Sequence, residues 1–454
     1  MQLLNRDLPA RGVTVFGLDA LLVAGSIVTA GLVHGSFHEG TTAAARVAVV
    51  TGLFALVFYY HELYDFTAVR SATERLARVL QSAGATTILL AGLAAVLPSF
   101  GFGSAPMLTA LALLLVAVPA GRLVVDRVTR DPGFHERVLI LGSGARARSI
   151  AENIESQADF PYDVVGFVAD GTGGAPSDPA VLGTIDTLPE IVRAHQVDRI
   201  VVSVADRRGT LPVEMLLQAR LAGVSIEEAT ATYERLTGKV AVESIRPSWL
   251  IFADGFGVAR GAGFLKRAFD LVVGAVGLVL AAPLMALTAL AIRLESPGPI
   301  LYCQERVGQH DRPFTLCKFR SMRTDAESSG PVWATSGDDR VTRVGRFIRK
   351  TRLDELPQLW NVLRGDMSVV GPRPERPFFV EQLAREIPFY ETRHAVRPGV
   401  TGWAQVRYQY GASVEDAREK LRYDLYYIKH RSFGFDLAIL IDTVKVVLFG
   451  KGAR

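Results

Sequence analysis

Cysteine is almost missing from this chain: Cys303 and Cys317 are the two present in 454 residues. Their spacing matches neither a zinc site nor a redox motif, so both read as small buried hydrophobes in a reducing compartment, outside any disulfide framework. A reductase-type Tyr-x-x-x-Lys pair is also absent. No cleavable signal peptide is expected, because the N-terminal apolar run lacks a small-residue cleavage site and further runs follow it. Charge of one sign does not dominate, with 50 Lys and Arg against 46 Asp and Glu for a net +4. The resulting pI near 9.0 suits anionic partners such as headgroups, phosphates or nucleic acid. Charge of either sign is scarcest in the first 125 or so positions, whereas 49% of the whole chain is apolar. Part of the protein therefore belongs in lipid. The length implies roughly two to four structural units.

Four apolar stretches, 13–33, 43–60, 79–97 and 107–120, approach the roughly 20 residues that cross a bilayer as a helix. Arg6 and Arg11 precede the first. Arg70, Arg75 and Arg78 separate the second and third, and Arg122, Arg127 and Arg130 follow the fourth. The two remaining loops hold no Lys or Arg. By the positive-inside rule the N-terminus and everything after Arg122 are expected in the cytoplasm. Asp19 and Arg46 read as interior-facing or snorkelling residues, with a functional pair as the alternative.

From Arg137 onward the pattern changes. "RVLILGSGARARSIAENI" reads as strand, glycine turn and helix, while "YDVVGFVAD" and "VDRIVVSVAD" add strands around the helix "DTLPEIVRAHQ". This alternation predicts a Rossmann-like parallel α/β domain over 136–255. Gly142, Gly144 and Ala147 match a dinucleotide fingerprint, and Asp170 stands where a ribose-binding acid belongs. Tight strand–helix packing demands the same glycines, so a structural or regulatory module is the competing reading.

A fifth uncharged run, 271–292, has Lys266 and Arg267 before it and Arg293 after it. Basic residues on both flanks disfavour a simple crossing. Pro283 near the middle removes a backbone hydrogen bond. A re-entrant helix over 266–294, broken at Pro283, is expected, and a fifth span is the alternative.

The last third carries the chemistry. Two strand-like pieces, "PILYCQERVG" and "PFTLCKFRSM", flank a polar turn at 309–312. In "VTRVGRFIRKTR", Arg343, Arg346, Arg349 and Lys350 recur at helical spacing. That places positive charge along one side of a helix, beside Phe347 and Ile348, and suits an anionic membrane surface. Nucleic acid is not expected, since no recognition motif accompanies the charge. Directly after this run come Asp354 and Glu355, then "GDMSVVGPRPERP" with Arg373 between two prolines. A first-turn acid at a helix start would account for one carboxylate. Arginines from separate segments instead match a diphosphate, whose oxygens guanidinium groups grip in pairs. Acids beside so much positive charge are expected to stay ionised. One can attack phosphorus, and its neighbour can hold Mg2+, which binds through one or two carboxylates plus substrate phosphates.

From about Leu265 to the C-terminus the sequence resembles the bacterial sugar transferase family, the monotopic phosphoglycosyl transferases. The resemblance rests on Lys266, Arg267 and Pro283, on "QERVG" (304–308) and "KFRSM" (318–322), and on "RKTRLDELPQLWNVLRGDMSVVGPRP". It continues through "RPGVTGWAQV" (397–406) and "YDLYYIKHRS" (423–432). One departure is Ala282, where some members have Ser before the proline. The four N-terminal spans and the α/β module resemble the large members, the polyprenyl-phosphate hexose-1-phosphate transferases of exopolysaccharide and capsule assembly.

The resemblance implies a C-terminal α/β catalytic domain over 263–454, behind a four-span bundle over 1–130. It implies transfer of hexose 1-phosphate from a UDP-hexose to undecaprenyl phosphate through a covalent intermediate on Asp354, releasing UMP. Glu355 would ligate Mg2+ beside Asp354, and Lys318, Arg349 and Arg373 would hold phosphates. Arg306, Arg320, Arg397 and Trp403 are further lining candidates, with surface or packing roles as the alternative. Glucose is the hexose favoured by family frequency, then galactose. The expected location is the bacterial inner membrane, multi-pass, with the catalytic domain on the cytoplasmic face. The middle domain is a candidate homodimer surface, and downstream glycosyltransferases are expected partners. Two other classes compete: a membrane-tethered NAD-dependent nucleotide-sugar dehydrogenase or epimerase, and a non-enzymatic scaffold for polysaccharide assembly.

Overall fold

A computed structural model of the chain describes residues 10–35, 40–60, 63–64, 72–96, 103–129, 135–156, 162–169, 180–204, 211–242, 260–326, 338–408, 411 and 413–449. The chain divides into two compact units, Met1–Thr237 and Gly238–Arg454.

The first unit opens with four long helices: α1 (Ala10–Val33), α2 (Gly40–Tyr60), α3 (Ala72–Val96) and α4 (Ser104–Thr129). Val23, Ile27, Phe54, Phe58, Ala83 and Val118 form their shared interior. The outward faces are just as apolar, with Leu21, Ile88 and Val116 each more than 70% exposed. A helix hydrophobic on every side is one that lipid surrounds. By length and composition α1, α2 and α4 can each cross a membrane. The early turns of α3 carry Glu74, Arg75 and Arg78, which shortens its apolar stretch.

Asp19 is paired, but with Arg122 and not with Arg46. Arg122 donates from Nε to Asp19 Oδ1 (3.3 Å) and from Nη2 to Oδ2, while its Nη1 reaches the Leu63 carbonyl at 2.7 Å. The guanidinium also lies over the rings of Phe58 and Tyr64, 5.5 Å from each centroid. Arg122 is therefore an interior residue, and among the described residues after α4's apolar stretch the flanking charge falls to Arg127. Arg6, Arg70 and Arg130 lie outside the described residues. Removing one partner of a buried pair strands the other's charge and costs about 3–5 kcal/mol. Arg122→Leu is expected to lower the unfolding temperature of the detergent-solubilised protein sharply, and Asp19→Leu added to it is expected to restore most of the loss.

The same unit holds a five-stranded parallel sheet in the order β3-β2-β1-β4-β5. Its strands are β1 (Glu136–Leu141), β2 (Tyr162–Ala169), β3 (Val181–Thr184), β4 (Arg199–Val202) and β5 (Ser225–Glu228). The helices α5 (Ala145–Ser156), α6 (Leu188–Ala194), α7 (Val213–Leu221) and α8 (Ala229–Thr237) complete it. This is the doubly wound order the strand–helix alternation predicts. Gly142 has φ +116°, and a Cβ there would lie 3.1 Å from the Ser203 carbonyl oxygen. Close approach of β1 to β4 thus requires glycine at the first fingerprint position. A Cβ on Gly144 would meet nothing within 4 Å, and Ala147 is buried against the sheet. Asp170 lies outside the described residues. Residues 238–242, placed in the middle domain by the sequence pattern, belong to the second unit. There Val240 N donates to the Arg422 carbonyl (3.0 Å).

The longest helix of the second unit among the described residues is α9 (Arg260–Glu295), helical without interruption through Pro283. The expected break at Pro283 is thus corrected. Proline removes one hydrogen bond from the ladder, and a run this apolar keeps the rest. By length and composition this helix too can cross a membrane. Its first turns do more than flank a membrane segment. Arg267 donates to the carbonyls of Val362 and Leu363 (2.7 and 2.8 Å) at the end of α11 (Gln358–Arg364). Lys266 bridges Asp436 (2.9 Å) and Asp270 (3.4 Å). Asp270 also accepts from Ser368 Oγ and Val369 N at 3.0 and 3.1 Å. Gly274 and Gly277 let α9 approach α11, since a Cβ at either would meet Leu363 or Leu359 at 3.2–3.3 Å.

β6 (Leu301–Val307) and β7 (Pro313–Phe319) form an antiparallel hairpin around the expected polar turn. The register sets Cys303 opposite Cys317, with Cα atoms 4.2 Å apart and the sulfurs joined as a disulfide. The reading of two separate buried thiols is corrected, because pairing depends on strand register and not on sequence spacing. Beyond the hairpin come α10 (Arg343–Lys350), the parallel pair β8 (Ser368–Val370) and β9 (Gly399–Thr401), α12 (Pro377–Glu386), α13 (Trp403–Arg407), α14 (Val414–His430) and α15 (Phe433–Phe449). Their core gathers Val362, Met367, Val369, Leu421, Leu425 and Tyr427.

Candidate active site

The acid pair forms a single 3₁₀ turn, Leu353–Glu355, between α10 and α11. Arg352 ahead of it has φ 59°, a left-handed conformation costing a non-glycine residue on the order of 1–3 kcal/mol. That reversal ends α10 and directs the acids inward, so Asp354 is 7% exposed. A first-turn acid at an exposed helix start would stay solvated.

Glu355 Oε1 accepts from Arg373 Nη2 at 2.9 Å, and Arg352 Nη1 stands 3.6 Å away. Burial opposes ionisation of Glu355, but these two guanidinium groups outweigh it and hold the carboxyl below its ordinary pKa. Asp354 behaves in the opposite way. Burial and the Glu355 charge raise it to about 6 against the pull of Lys318, Arg373 and Arg349. Asp354 is thus the weaker acid of the pair, since the cations outweigh desolvation for Glu355 alone. Asp354 Oδ1 is buried and has no hydrogen-bond partner among the described residues.

Lys318 enters from β7 with Nζ 5.5 Å from the ring centroid of Tyr302, its partner on β6. Burial, with Arg306 nearby, lowers its pKa to about 8. Arg349 is close enough to act on both Asp354 and Lys318. Arg343, Arg346 and Lys350 on the same helix are exposed, whereas Arg349 is half-buried. Phe347 accompanies the exposed residues, whereas Ile348 is buried.

The lining candidates separate. Arg306 donates to Gln304 (2.9 Å) and to the Pro374 carbonyl (3.2 Å), beside Lys318 and Arg373. Arg320 clamps the end of α9 through the Pro297 carbonyl and Ser296, each at 2.8 Å. Trp403 donates to the Gly238 carbonyl (2.9 Å) and packs against Phe435 and Tyr426 in the core. Both are structural, which corrects their assignment as lining. Arg397 is not among the described groups that act most strongly on either acid. Sequence reasoning missed Arg352, which sits inside a quoted motif but bears no sign of a role until the chain folds.

Among the described residues no group of three or more His, Cys, Asp and Glu side chains is placed to hold a metal. The pair still fits Mg2+, which takes one or two carboxylates and completes its shell with substrate phosphates and water. The orphaned Asp354 Oδ1 supplies a ready oxygen. Lys318, Arg349, Arg352 and Arg373 against two carboxylates leave positive charge uncompensated. A site of this kind fits one class of enzyme: a membrane-associated transferase of phosphate-bearing groups, since guanidinium groups are able to hold phosphate and a carboxylate is able to attack phosphorus.

Comparison with known proteins agrees. Residues 261–450 match the bacterial sugar transferase family, and residues 60–226 match a CoA-binding domain. A UDP-glucose:undecaprenyl-phosphate glucose-1-phosphate transferase of Escherichia coli (strain K12) is 33% identical over 391 residues, 84% of this chain and 83% of the relative. This chain belongs to the bacterial sugar transferase family. An undecaprenyl-phosphate glucose phosphotransferase of Komagataeibacter xylinus is 36% identical over 351 residues, 75% of this chain and 64% of that protein. A UDP-N-acetylgalactosamine-undecaprenyl-phosphate N-acetylgalactosaminephosphotransferase of Aeromonas hydrophila is 45% identical over 246 residues, 53% of this chain. The match spans 56% of that relative's length.

Proposed function

We infer that the chain transfers hexose 1-phosphate from a UDP-hexose to undecaprenyl phosphate, as the first membrane step of exopolysaccharide or capsule assembly. The observation carrying this reading is the buried Asp354, with one carboxylate oxygen unpartnered inside the field of Lys318, Arg349 and Arg373. A carboxylate oxygen of Asp354 attacks the β-phosphorus of the donor. The bond from that phosphorus to the bridging oxygen breaks, and UMP leaves with the electron pair. An oxygen of undecaprenyl phosphate then attacks the same phosphorus, the acyl phosphate bond breaks, and the carboxylate is restored. Lys318, Arg349 and Arg373 hold the donor's phosphates and oppose the charge that grows in each step. Asp354 and Glu355 would hold Mg2+, which neutralises charge on the diphosphate when bound.

The domain plan is a membrane bundle over 1–130, a Rossmann-like module from 136 to 237 and a catalytic domain over 263–454. A bend at Pro283 that keeps helix on both sides would return both ends of α9 to the cytoplasmic face and bring the acids to headgroup level, where a soluble donor and a lipid phosphate meet. Basic residues at both ends of α9 support that course. The protein would then reside in the bacterial inner membrane, with the middle module a candidate homodimer surface and later glycosyltransferases as partners. The test is purified protein with a panel of UDP-sugars, Mg2+ and undecaprenyl phosphate. UMP release with at least one donor is expected; none from any donor would remove the reading.

The same site dictates a pH profile. Asp354 must be ionised to attack, so activity rises with pH through about 6. Lys318 must be protonated to hold phosphate, so activity falls as pH passes about 8. Donor kcat/KM against pH should be bell-shaped between these values, with the acid limb belonging to the Asp354–Glu355 pair as a unit. Lys318→Arg is expected to remove the alkaline limb.

A further inference from the structure

Arg373 stands in a stretch of chain that regular structure does not hold. Residues 371–376 form neither helix nor strand, and Pro372 and Pro374 have no N–H to give to a ladder. The carbonyls of residues 372–375 are nonetheless each taken, as buried backbone acceptors generally are. Gly399 N donates to the Pro372 carbonyl and Val307 N to the Glu375 carbonyl, each at 2.9 Å. Side chains hold the two between them. Arg306 Nη1 reaches the Pro374 carbonyl at 3.2 Å, and Arg393 Nη2 reaches that of Arg373 itself at 3.0 Å.

Arg393 is held in turn by its own surroundings. It belongs to the 3₁₀ segment Tyr390–Ala395 and is 5% exposed. Its Nη1 donates to Tyr390 Oη (2.7 Å), and its Nη2 lies 2.8 Å from Asp424 Oδ2 on α14. Asp424 is buried as well. A buried ion pair contributes little net stability against apolar residues of similar volume. Its place here is better explained by what the guanidinium holds. The turn bearing Arg393 is also tied to the hairpin that carries Lys318. His394 Nδ1 pairs with Asp311 (2.6 Å), and Gln309 Nε2 donates to the Ala395 carbonyl (3.1 Å). Gln309 and Asp311 lie between β6 and β7. Arg373 is thus held at both ends: Arg393 takes its carbonyl, and its own Nη2 donates to Glu355 at 2.9 Å.

We propose that Arg393 is a positioning residue for Arg373: by gripping the Arg373 carbonyl, it fixes the direction in which that guanidinium meets Glu355 and the donor's diphosphate. The proposal rests on the transferase reading and deepens it. Arg393 acts through Arg373 and is not itself a catalytic residue. A misplacement of about 1 Å in a positioned group is enough to cost about 10²-fold in rate.

The test is a double-substitution cycle on the whole chain. It is read as UMP release with Mg2+, undecaprenyl phosphate and the UDP-sugar that the unsubstituted protein uses best. Tyr390→Phe removes one hydrogen bond from the Arg393 guanidinium and no charge. Arg393→Met combined with Asp424→Asn removes the grip and both charges, so no buried charge is stranded. The first is expected to lower kcat by about threefold and the second by about tenfold or more. In an Arg373→Met background both losses should shrink below about twofold, because residues that act through one another are not additive. Equal fold-losses in both backgrounds would make Arg393 a packing residue and overturn the proposal, as would no loss in either.

A second measurement does not depend on activity. A dicarbonyl reagent that modifies guanidinium groups, followed by mass spectrometry, reports how firmly Arg373 is held. In Tyr390→Phe its labelling should quicken by about threefold or more as local opening becomes easier. Labelling of the exposed Arg343 and Arg346 on α10 should stay the same. Equal acceleration at all three would mean general loosening, and an unchanged rate at Arg373 would mean that it is placed without Arg393. Either result counts against the proposal. Absence of UMP release from the unsubstituted protein would instead remove the transferase reading itself.

Discussion

Asp354→Asn is expected to lower UMP release by about four orders of magnitude or more, the scale seen when a nucleophile is removed and the binding apparatus stays. Asparagine keeps the size of the side chain and loses the oxygen charge that attacks phosphorus. Stability should hold or improve, because Asp354 is a buried acid whose ionisation is opposed by burial and by Glu355. Loss of activity with an unchanged or higher unfolding temperature therefore separates chemistry from folding. Full UMP release by this variant would favour a scaffold role and end the proposed mechanism.

Arg373→Met carries the second large effect. This one guanidinium donates to Glu355 at 2.9 Å and acts on Asp354 and Lys318 as well. Its removal leaves Glu355 with Arg352 at 3.6 Å as the remaining ion-pair partner among the described residues. Loss of a charge-stabilising donor at a reacting phosphoryl group costs about 10²–10³ in kcat, and that drop is expected here. The pKa of the acid pair should rise with it, moving the acid limb of the pH profile upward. Arg373→Lys should recover little, since an ammonium does not reproduce the planar fork. A profile unmoved by Arg373→Met would mean that Arg373 serves packing alone.

Much of this was legible in the sequence where one physical rule dominated. Apolar runs of spanning length marked α1, α2, α4 and α9. Strand–helix alternation marked the parallel sheet, and the adjacent Asp354 and Glu355 after a run of arginines marked the neighbourhood of the site, to which the family resemblance added Lys318, Arg349 and Arg373. Misreadings arose where a side chain had two plausible environments. Arg122 counts as a flanking charge in a one-dimensional pattern, yet its length lets it fold back onto Asp19. Arg320 and Trp403 sit in motifs shared with the family, but their donors are spent on the end of α9 and on the Gly238 carbonyl. Cys303 meets Cys317 through hairpin register, which spacing alone does not specify. The opposite ionisation tendencies of Asp354 and Glu355 were also hidden, since both neighbour the same arginines and differ in how burial balances them.

Incubation with a UDP-hexose alone, followed by digestion and mass spectrometry, tests the central claim most directly. A hexosyl phosphate should appear on the peptide carrying Asp354, and it should vanish when undecaprenyl phosphate is added. UMP release on adding both substrates, with no adduct at residue 354 under donor alone, would contradict it.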